Sequence, residues 1–331
     1  MQSISGDADK ILTAFKTQLS EYAVTGQPFL FVIDFECERP VIFRLDQCCK
    51  QGVFYDIRGK SNLPNKQINK EIQLDYSPVS KKIFEEKFTN VKDELNKGNT
   101  YLLNLTFPAE IKINLTLEEI FHISKAPYKL FVDHKFVVFS PECFIRISGN
   151  EIFTYPMKGT IDATVGNAES VLLSNQKEEW EHNTIVDLMR NDLAMVANNI
   201  TVEKFRYVEK IRTDKGEILQ TSSEIKGTLP SDWHRKLGDM ILKLLPAGSV
   251  SGAPKKKTME IIKENELSPR GNYTGIFGIF DGNSLDTAVA IRFIECKGGK
   301  YFFRSGGGIT SESLADDEYN ELIQKIYVPA F

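Results

Sequence analysis

Long hydrophobic runs and a targeting segment are both missing from this sequence of 331 residues. No stretch approaches the roughly 20 consecutive apolar residues that a membrane-spanning helix needs. The first residues, MQSISGDADKILTAF, lack the basic segment followed by an apolar one that a secretory signal requires. These absences predict a cytoplasmic protein with no membrane partner.

Cysteine is scarce and is not spaced for a disulfide framework or a zinc site. An odd number of cysteines is present and no two form a CxxC pair. We therefore expect reduced, mostly buried thiols. The five are Cys37, Cys48, Cys49, Cys143 and Cys296.

Neither sign of charge is in large excess. The 41 Lys and Arg residues and the 45 Asp and Glu residues leave a net charge of −4. This balance gives no reason to expect a nucleic-acid or membrane-surface partner. An anionic substrate would have to be held by a few local basic groups.

The order of the hydrophobic patterns predicts an α+β fold. No repeat or Pro-rich linker divides the chain, which indicates one large domain. Helical spacing covers 80–97, 168–197, 232–245 and about 253–266, whereas short apolar runs in 128–157 predict an antiparallel meander. Strands return in the last third, before a terminal helix. Because strands and helices come in separate runs, we expect antiparallel sheets covered by helices.

Lys158, in the segment PMKGT, is a candidate nucleophile. It lies between an apolar residue and a glycine at the end of the meander, where partial burial would favour the neutral, nucleophilic amine. A solvated surface lysine in a turn is the alternative. The interpretation of Lys158 as a nucleophile therefore needs supporting evidence from other segments of the chain.

Four glutamates are candidates for acid chemistry or for holding an ion: Glu142, Glu181, Glu318 and Glu321. Glu318 and Glu321 are three residues apart, so one helical turn presents both carboxylates on the same side. Carboxylates from separate segments, without a His or Cys cluster, suit Mg²⁺ better than zinc. Solvated helix glutamates remain the alternative.

Two glycine-rich segments, 244–257 and 303–310, have the character of anion-binding turns. Neither has the spacing of a P-loop or of a dinucleotide site, and glycines are also common in purely structural turns. TAVAIRFIE is predicted to be an apolar strand with Arg292 inside it, where the charge of the arginine should meet a buried acid or a bound carboxylate. Tyr273 and Lys255 are further candidate donors.

Several segments together resemble the chorismate-binding enzymes, which include anthranilate synthase component I, aminodeoxychorismate synthase component I, and the isochorismate and salicylate synthases. The resemblance runs in the family's order from about residue 80 to the C-terminus. It implies two packed antiparallel sheets with helices outside, divided into a catalytic domain at 76–331 and a shortened N-terminal part at 1–75. The matching strings are SPECF, PMKGT, EHNTIVDLMRND, LLPAGSVSGAPKKKTMEII, RGNYTGIFGIF, AVAIRF, GGGI and DDEYNELI.

The resemblance also implies roles for individual residues. Glu181 and Glu321 resemble Mg²⁺ ligands, with Glu318 close by, and Glu142 resembles the general acid that protonates the leaving 4-hydroxyl of chorismate. Lys158 resembles a nucleophile that forms a covalent adduct with the ring. The residues expected to hold the substrate are Thr160, Lys255, Tyr273, Gly275, Arg292, Gly306, Gly307 and Gly308.

A single residue, Lys158, provides most of the evidence for one branch of the family over the others. Anthranilate synthases typically have alanine where this chain has Lys158, so the lysine indicates amination of chorismate to 4-amino-4-deoxychorismate. The isochorismate and salicylate synthases use a lysine to activate water at the position of Leu102, and leucine cannot do this. Anthranilate synthesis and a catalytically silent regulatory subunit are the alternatives.

The source of nitrogen is expected to lie outside this chain. None of the five cysteines lies in a GxCxG segment, the glutaminase nucleophile motif. Ammonia would then come from solution or from a separate glutamine amidotransferase subunit.

Overall fold

A computed structural model of the chain describes residues 3–63, 66, 68, 70–213 and 216–329. Within these ranges, none of the helices is long and apolar enough to cross a membrane. The helices are α1 (Ser3–Thr25), α2 (Lys81–Asn96), α3 (Leu117–Ile123), α4 (Ala168–Ser174), α5 (Gln176–Ala194), α6 (Leu237–Leu244), α7 (Lys255–Asn265) and α8 (Ala315–Gln324).

The strands range from two residues in length to the two long strands of one hairpin. They are β1 (Phe29–Ile33), β2 (Val41–Arg44), β3 (Val53–Ile57), β4 (Lys60–Ser61), β5 (Leu74–Ser77), β6 (Leu102–Ile113), β7 (Tyr128–Val132), β8 (Phe136–Ser140), β9 (Cys143–Ser148), β10 (Glu151–Thr154), β11 (Met157–Asp162), β12 (Asn198–Thr213), β13 (Gly216–Thr228), β14 (Gly252–Ala253), β15 (Ile276–Phe280), β16 (Leu285–Val289), β17 (Phe293–Lys297) and β18 (Lys300–Ile309).

These strands form two antiparallel sheets of nine strands each among the described residues. The first sheet has the order β11, β13, β10, β9, β16, β15, β1, β2, with β12 also paired to β13. The second has the order β14, β6, β18, β17, β8, β7, β3, β4, with β5 also paired to β6. The expected α+β fold of two packed antiparallel sheets with helices is confirmed.

The apolar pattern of β1 shows why the sheets pack in layers. Alternate side chains of a strand point to opposite faces. Phe29, Phe31 and Ile33 join a core with α1, α5 and α6 on the outer face of the first sheet. Leu30 and Val32 join the core between the sheets, together with residues of β7 and β15. All five are buried because both faces are covered.

Helices α2, α7 and α8 cover part of the second sheet. Phe84 and Phe88 of α2 pack with Leu105 of β6 and Leu322 of α8 in one apolar cluster. Ser80 begins α2 by accepting a hydrogen bond from Ile83 N at 3.4 Å. The hydroxyl therefore satisfies one of the amides that the first helical turn leaves without a partner.

The helical pattern predicted for 168–197 divides into α4 and α5. Asn175 separates the two helices, and its side chain caps α5 by accepting from Glu178 N at 3.1 Å. A short polar side chain at such a position competes with helix continuation. Helix α1 and the β12–β13 hairpin were not predicted.

The first 75 residues contribute strands to both sheets. Strand β1 pairs with β15, and β3 pairs with β7. Residues 1, 2, 64, 65, 67 and 69 of this part lie outside the described residues. The boundary between residues 75 and 76 stays a prediction.

The three glycines at 306–308 lie inside β18, where the sequence suggested a turn after a strand. They pair with Thr106, Leu105 and Asn104 of β6. A Cβ atom on Gly306 would lie 2.1 Å from Leu105 O. Glycine is therefore required here by the close approach of the two strands.

Candidate active site

A cavity of about 250 Å³ lies where the two sheets meet. Strands β6 and β18 of the second sheet form one wall, and the start of β11 forms another. Helices α5 and α8 and the turns at 141–142, 248–252 and 291–292 also contribute to the lining. Residues far apart in the sequence are thereby brought to one small, polar space.

Lys158 reaches the cavity from an irregular part of β11. The pairing of β11 with β13 shifts register between Met157 and Thr160, and Gly159 adopts a φ of 87°. The carbonyl of Lys158 accepts a hydrogen bond from Thr221 Oγ1. This bulge re-aims the lysine side chain toward the cavity, as bulges next to active sites often do.

The charge state of Lys158 differs from the sequence expectation. Its ammonium lies 2.7 Å from Glu181 Oε2. Burial lowers the pKa of Lys158, but the carboxylates of Glu181, Glu321 and Glu178, Glu181 foremost, together raise it above its ordinary value. The ion pair therefore favours the protonated amine, where desolvation alone would favour the neutral one.

Glu142 lines the same cavity, and its carboxyl is buried. Burial raises the pKa of its carboxyl, while a hydrogen bond from Ser249 Oγ to Oε1 lowers it. Arg292 and Lys325 lie close enough to lower the pKa further. Because the net shift is upward, the site favours a protonated carboxyl, as a general acid requires.

Arg292 lies between β16 and β17, and not inside one strand as the sequence suggested. Its φ is 52°, which interrupts the strand, and its carbonyl accepts from Phe139 N at 3.0 Å. Its Nε atom is buried without a hydrogen-bond partner. In the described part of the chain, no carboxylate lies within ion-pair distance of this guanidinium. The sequence predicted either a buried acid or a bound carboxylate as the partner of Arg292. The first of these is not found among the described residues.

The two glutamates of α8 meet the backbone of β18 at Gly307. A Cβ atom there would lie 3.0 Å from Glu318 Oε2 and 3.4 Å from Glu321 Oε1. Burial raises the pKa of Glu318, and the nearby charge of Glu321 raises it further. Lys325 Nζ pairs with Glu321 at 2.5 Å and donates to Gly306 O at 2.8 Å. Because Gly307 has no side chain, both carboxylates can lie close to the backbone of β18 at this position.

Three glutamates near this end of the cavity carry the type of ligand atom that Mg²⁺ prefers. Glu181, Glu318 and Glu321 supply only oxygen ligands. Burial raises the pKa of Glu318 most, and the charge of Glu321 raises it further, so a bound divalent cation would favour the ionised carboxylate. Lys158 and Lys325 supply positive charge to two of these acids. Across the described ranges, no three acidic, thiol or imidazole side chains are already arranged to hold a metal. The Mg²⁺ dependence stays a prediction.

Six of the candidate side chains named from the sequence line the cavity, together with the backbone of Gly306 and Gly308. Neighbouring residues of a strand face opposite sides, so Gly307 faces α8. The six are Glu142, Lys158, Glu181, Tyr273, Arg292 and Glu321.

Other candidates lie outside the lining. Lys255 binds Asp192 Oδ1 and Leu244 O, both at 2.9 Å, and so ties the 244–257 segment to α5. Thr160 is exposed on β11. A Cβ atom on Gly275 would lie 2.2 Å from Ile33 O, so this glycine allows close backbone packing. Glu318 lies beside the lining residue Glu321 at Gly307 and is not itself part of the lining.

Polar residues of the lining that sequence reasoning missed include Asn104, Ser249 and Lys325. Lys325 could have been found, because it follows Glu321 by four residues on one helical face. Ser249 and Asn104 carry no such signal. Their contribution depends on contacts between distant segments.

A family model described as chorismate binding enzyme matches residues 25–330. A Haemophilus influenzae protein described as an uncharacterized PabA-like protein is 53% identical over 322 residues, covering 97% of this chain and 98% of that protein. A Pasteurella multocida protein described in the same way is 55% identical over 320 residues, covering 96% and 99%.

More distant relatives have named activities. Aminodeoxychorismate synthase component 1 of Escherichia coli is 33% identical over 269 residues, covering 76% of this chain and 57% of that protein. The chain therefore spans a little over half of that relative.

Solved structures share the fold. Anthranilate synthase component I from Streptococcus pneumoniae superposes with a TM-score of 0.68 at 28% identity, covering 76% of this chain and 58% of that chain. MenF, the menaquinone-specific isochorismate synthase of Escherichia coli, gives a TM-score of 0.73 at 15% identity, covering 95% and 80%. The second likeness concerns the fold alone.

Proposed function

This chain belongs to the chorismate-binding enzyme family, and from that premise we propose that it forms 4-amino-4-deoxychorismate from chorismate and ammonia. The observation that carries the proposal is the position of Lys158, whose side chain reaches the cavity next to Glu181. Lysine at this place resembles the aminodeoxychorismate branch. The 33% identity to the Escherichia coli component supports the same branch.

The substrate carboxylate is held by Arg292. Its guanidinium lies in the cavity wall, and no carboxylate of the described residues neutralises it. An unpaired charge in a partly buried place is costly, so a bound carboxylate is a favourable partner. Tyr273 and the backbone of Gly306 and Gly308 complete this side of the site.

The reaction is a double displacement on the chorismate ring. The amine of Lys158 attacks ring carbon-2, the ring double bonds shift, and the bond from carbon-4 to its hydroxyl breaks as Glu142 donates a proton, so that water leaves. Ammonia then adds at carbon-4, the double bonds shift back, and the bond to Lys158 breaks. The proton that the lysine amine loses on forming the adduct restores Glu142, and the amine regains a proton from the added ammonia as its bond to carbon-2 breaks. General acid assistance typically contributes about 10² to 10⁴ in rate.

Mg²⁺ is part of the proposal. Glu181, Glu318 and Glu321 would hold it, and when bound it would neutralise charge on the substrate carboxylate. Lys158 must lose a proton before it attacks. Withdrawal of the Glu181 carboxylate from Nζ leaves burial as the dominant influence on the lysine, which favours the neutral amine.

The ammonia donor is a glutamine amidotransferase subunit. The PabA-like description of the Haemophilus influenzae relative supports a protein of this system, and this chain has no GxCxG segment of its own. The product would then lead to p-aminobenzoate and folate in the cytoplasm. Free ammonium salt should replace the partner in a test.

The experiment is incubation of the purified protein with chorismate, Mg²⁺ and an ammonium salt, with products identified by mass spectrometry. We expect aminodeoxychorismate without release of pyruvate. Lys158→Ala should abolish this product, and intact-mass analysis of the wild type should show an adduct equal to chorismate minus water. The matched control is Lys257→Ala, because Lys257 is 46% exposed on α7 and pairs only with Glu260 in the described structure.

Anthranilate synthesis is the second candidate, supported by the likeness to the Streptococcus pneumoniae enzyme. Anthranilate and pyruvate from the wild type would replace the proposed activity with this one. Full activity in Lys158→Ala would contradict the covalent step of the mechanism. It would not contradict chorismate as the substrate. Lack of turnover with Mg²⁺ and ammonium would favour a silent subunit.

A further inference from the structure

Arg292 has few contacts that could fix the direction of its guanidinium. Its backbone is held in a positive-φ conformation, but its Nε atom has no hydrogen-bond partner. The salt bridges of the described residues leave it without an acidic partner. A long side chain in such a place can adopt several rotamers, and binding a carboxylate would then require ordering it.

One aromatic ring supplies the missing constraint. The Arg292 guanidinium carbon lies 5.1 Å from the centre of the Tyr327 ring. A guanidinium within about 6 Å of a ring face is attracted by the ring quadrupole.

The segment that carries Tyr327 is itself held firmly. It follows α8, and its residues alternate between the site and the core. Lys325 lines the cavity, whereas Ile326 and Val328 are buried in an apolar cluster. A hydrogen bond from Lys125 N to Pro329 O at 2.8 Å also ties the segment to the connection between α3 and β7. The ring therefore has a defined position relative to Arg292.

We infer that Tyr327 is a positioning residue, whose ring holds the Arg292 guanidinium in the orientation that receives the substrate carboxylate. This inference rests on the proposed function, since it assigns the anion to chorismate. Tyr327 acts through Arg292 and not on the reacting atoms. It should therefore affect substrate affinity and leave the chemical step unchanged.

The test compares Tyr327→Leu with Tyr327→Phe. Binding of chorismate is measured by titration calorimetry with Mg²⁺ and without ammonium, and KM and kcat are measured with ammonium. Tyr327→Leu should raise the Kd and the KM about 3- to 10-fold, the range expected for loss of a cation–π contact, with kcat within about twofold. Tyr327→Phe keeps the ring and should stay within about twofold of the wild type in every constant.

Two controls separate positioning from general destabilisation. Val328→Ala removes buried contacts next to Tyr327 without touching the guanidinium, so it should lower the melting temperature and leave the Kd unchanged. In an Arg292→Gln background, Tyr327→Leu should cause no further loss of affinity, because the partner is already gone.

The outcomes distinguish this inference from the proposed function. A wild-type protein that does not bind chorismate overturns both. Normal binding by the wild type together with an unchanged Kd in Tyr327→Leu overturns the inference alone. The inference alone is also overturned if Val328→Ala weakens chorismate binding as much as Tyr327→Leu does. It is overturned likewise if Tyr327→Leu still weakens binding in the Arg292→Gln background.

Discussion

Glu266 should be among the least replaceable side chains of the fold beneath the cavity. Its carboxylate accepts hydrogen bonds from Arg270 at 2.7 Å and from Arg304 at 3.1 Å. It also accepts from the backbone N and the hydroxyl of Thr106. The side chain of Glu266 is 3% exposed, and those of the two arginines are 1% exposed. We predict that Glu266→Gln destabilises the protein severely.

The magnitude follows from the charges that would remain. Without the carboxylate, two buried guanidinium groups lose their only anionic partner in the described salt-bridge network. Removing one partner of a buried ion pair costs about 3 to 5 kcal/mol. Unfolding entropy scales as about 2.1 cal/mol/K per residue, or about 0.7 kcal/mol/K for a chain of this length, so the melting temperature should fall by about 4 to 7 °C.

The loss should also reach the site. Arg270 donates to Asn104 O at 2.6 Å and to Val250 O at 2.7 Å, and both residues line the cavity. Release of this guanidinium would loosen the wall formed by β6 and the 248–250 turn. Chorismate binding should therefore weaken together with stability.

The assay is thermal unfolding followed by circular dichroism, with urea unfolding as a second measure of the free energy. Glu260→Gln is the matched control, since Glu260 lies on α7, is 51% exposed and pairs with exposed Lys257. It should change the free energy of unfolding by less than about 0.5 kcal/mol. A melting temperature for Glu266→Gln within about 1 °C of the wild type, or an equal loss in Glu260→Gln, would refute the reasoning.

Two further predictions concern the site and its wall. Ser249→Ala removes a hydrogen bond that lowers the pKa of Glu142, so that pKa should rise. Since a general acid is active when protonated, the alkaline limb of the kcat profile should move to higher pH, and an unmoved limb would contradict the assignment. Gly306→Ala places a Cβ atom 2.1 Å from Leu105 O and should lower the melting temperature sharply. Gly166→Ala, with open space around the new Cβ, is its control, and equal melting temperatures would contradict the prediction.

Much of the fold could be predicted because the relevant information is local. Ser80 and Gly98 bracket the predicted helix at 80–97, and the structure has α2 at Lys81–Asn96. The break at Asn175 was missed because α4 and α5 share a continuous helical pattern, and only the cap hydrogen bond to Glu178 N shows the division. Helix α1 and the β12–β13 hairpin were missed altogether.

The residues of the candidate site could be predicted only in part from the sequence. Residue type and spacing pointed to Lys158, Glu142, Glu181 and Arg292, and the chain folding brings all four to one cavity. Spacing could not show that Lys255 pairs with Asp192 on α5, because the two are 63 residues apart and meet only in the folded protein.

The sequence by itself determined the fold class, the family and most of the candidate side chains that line the cavity, because periodicity, turn residues and short motifs are properties of neighbouring residues. Only the tertiary structure decided the charge state and surroundings of those side chains. The Lys158–Glu181 ion pair, the Glu266 network and the ring of Tyr327 against Arg292 each join distant segments. Electrostatic energy depends on distance and burial in space, and neither can be read from position along the chain.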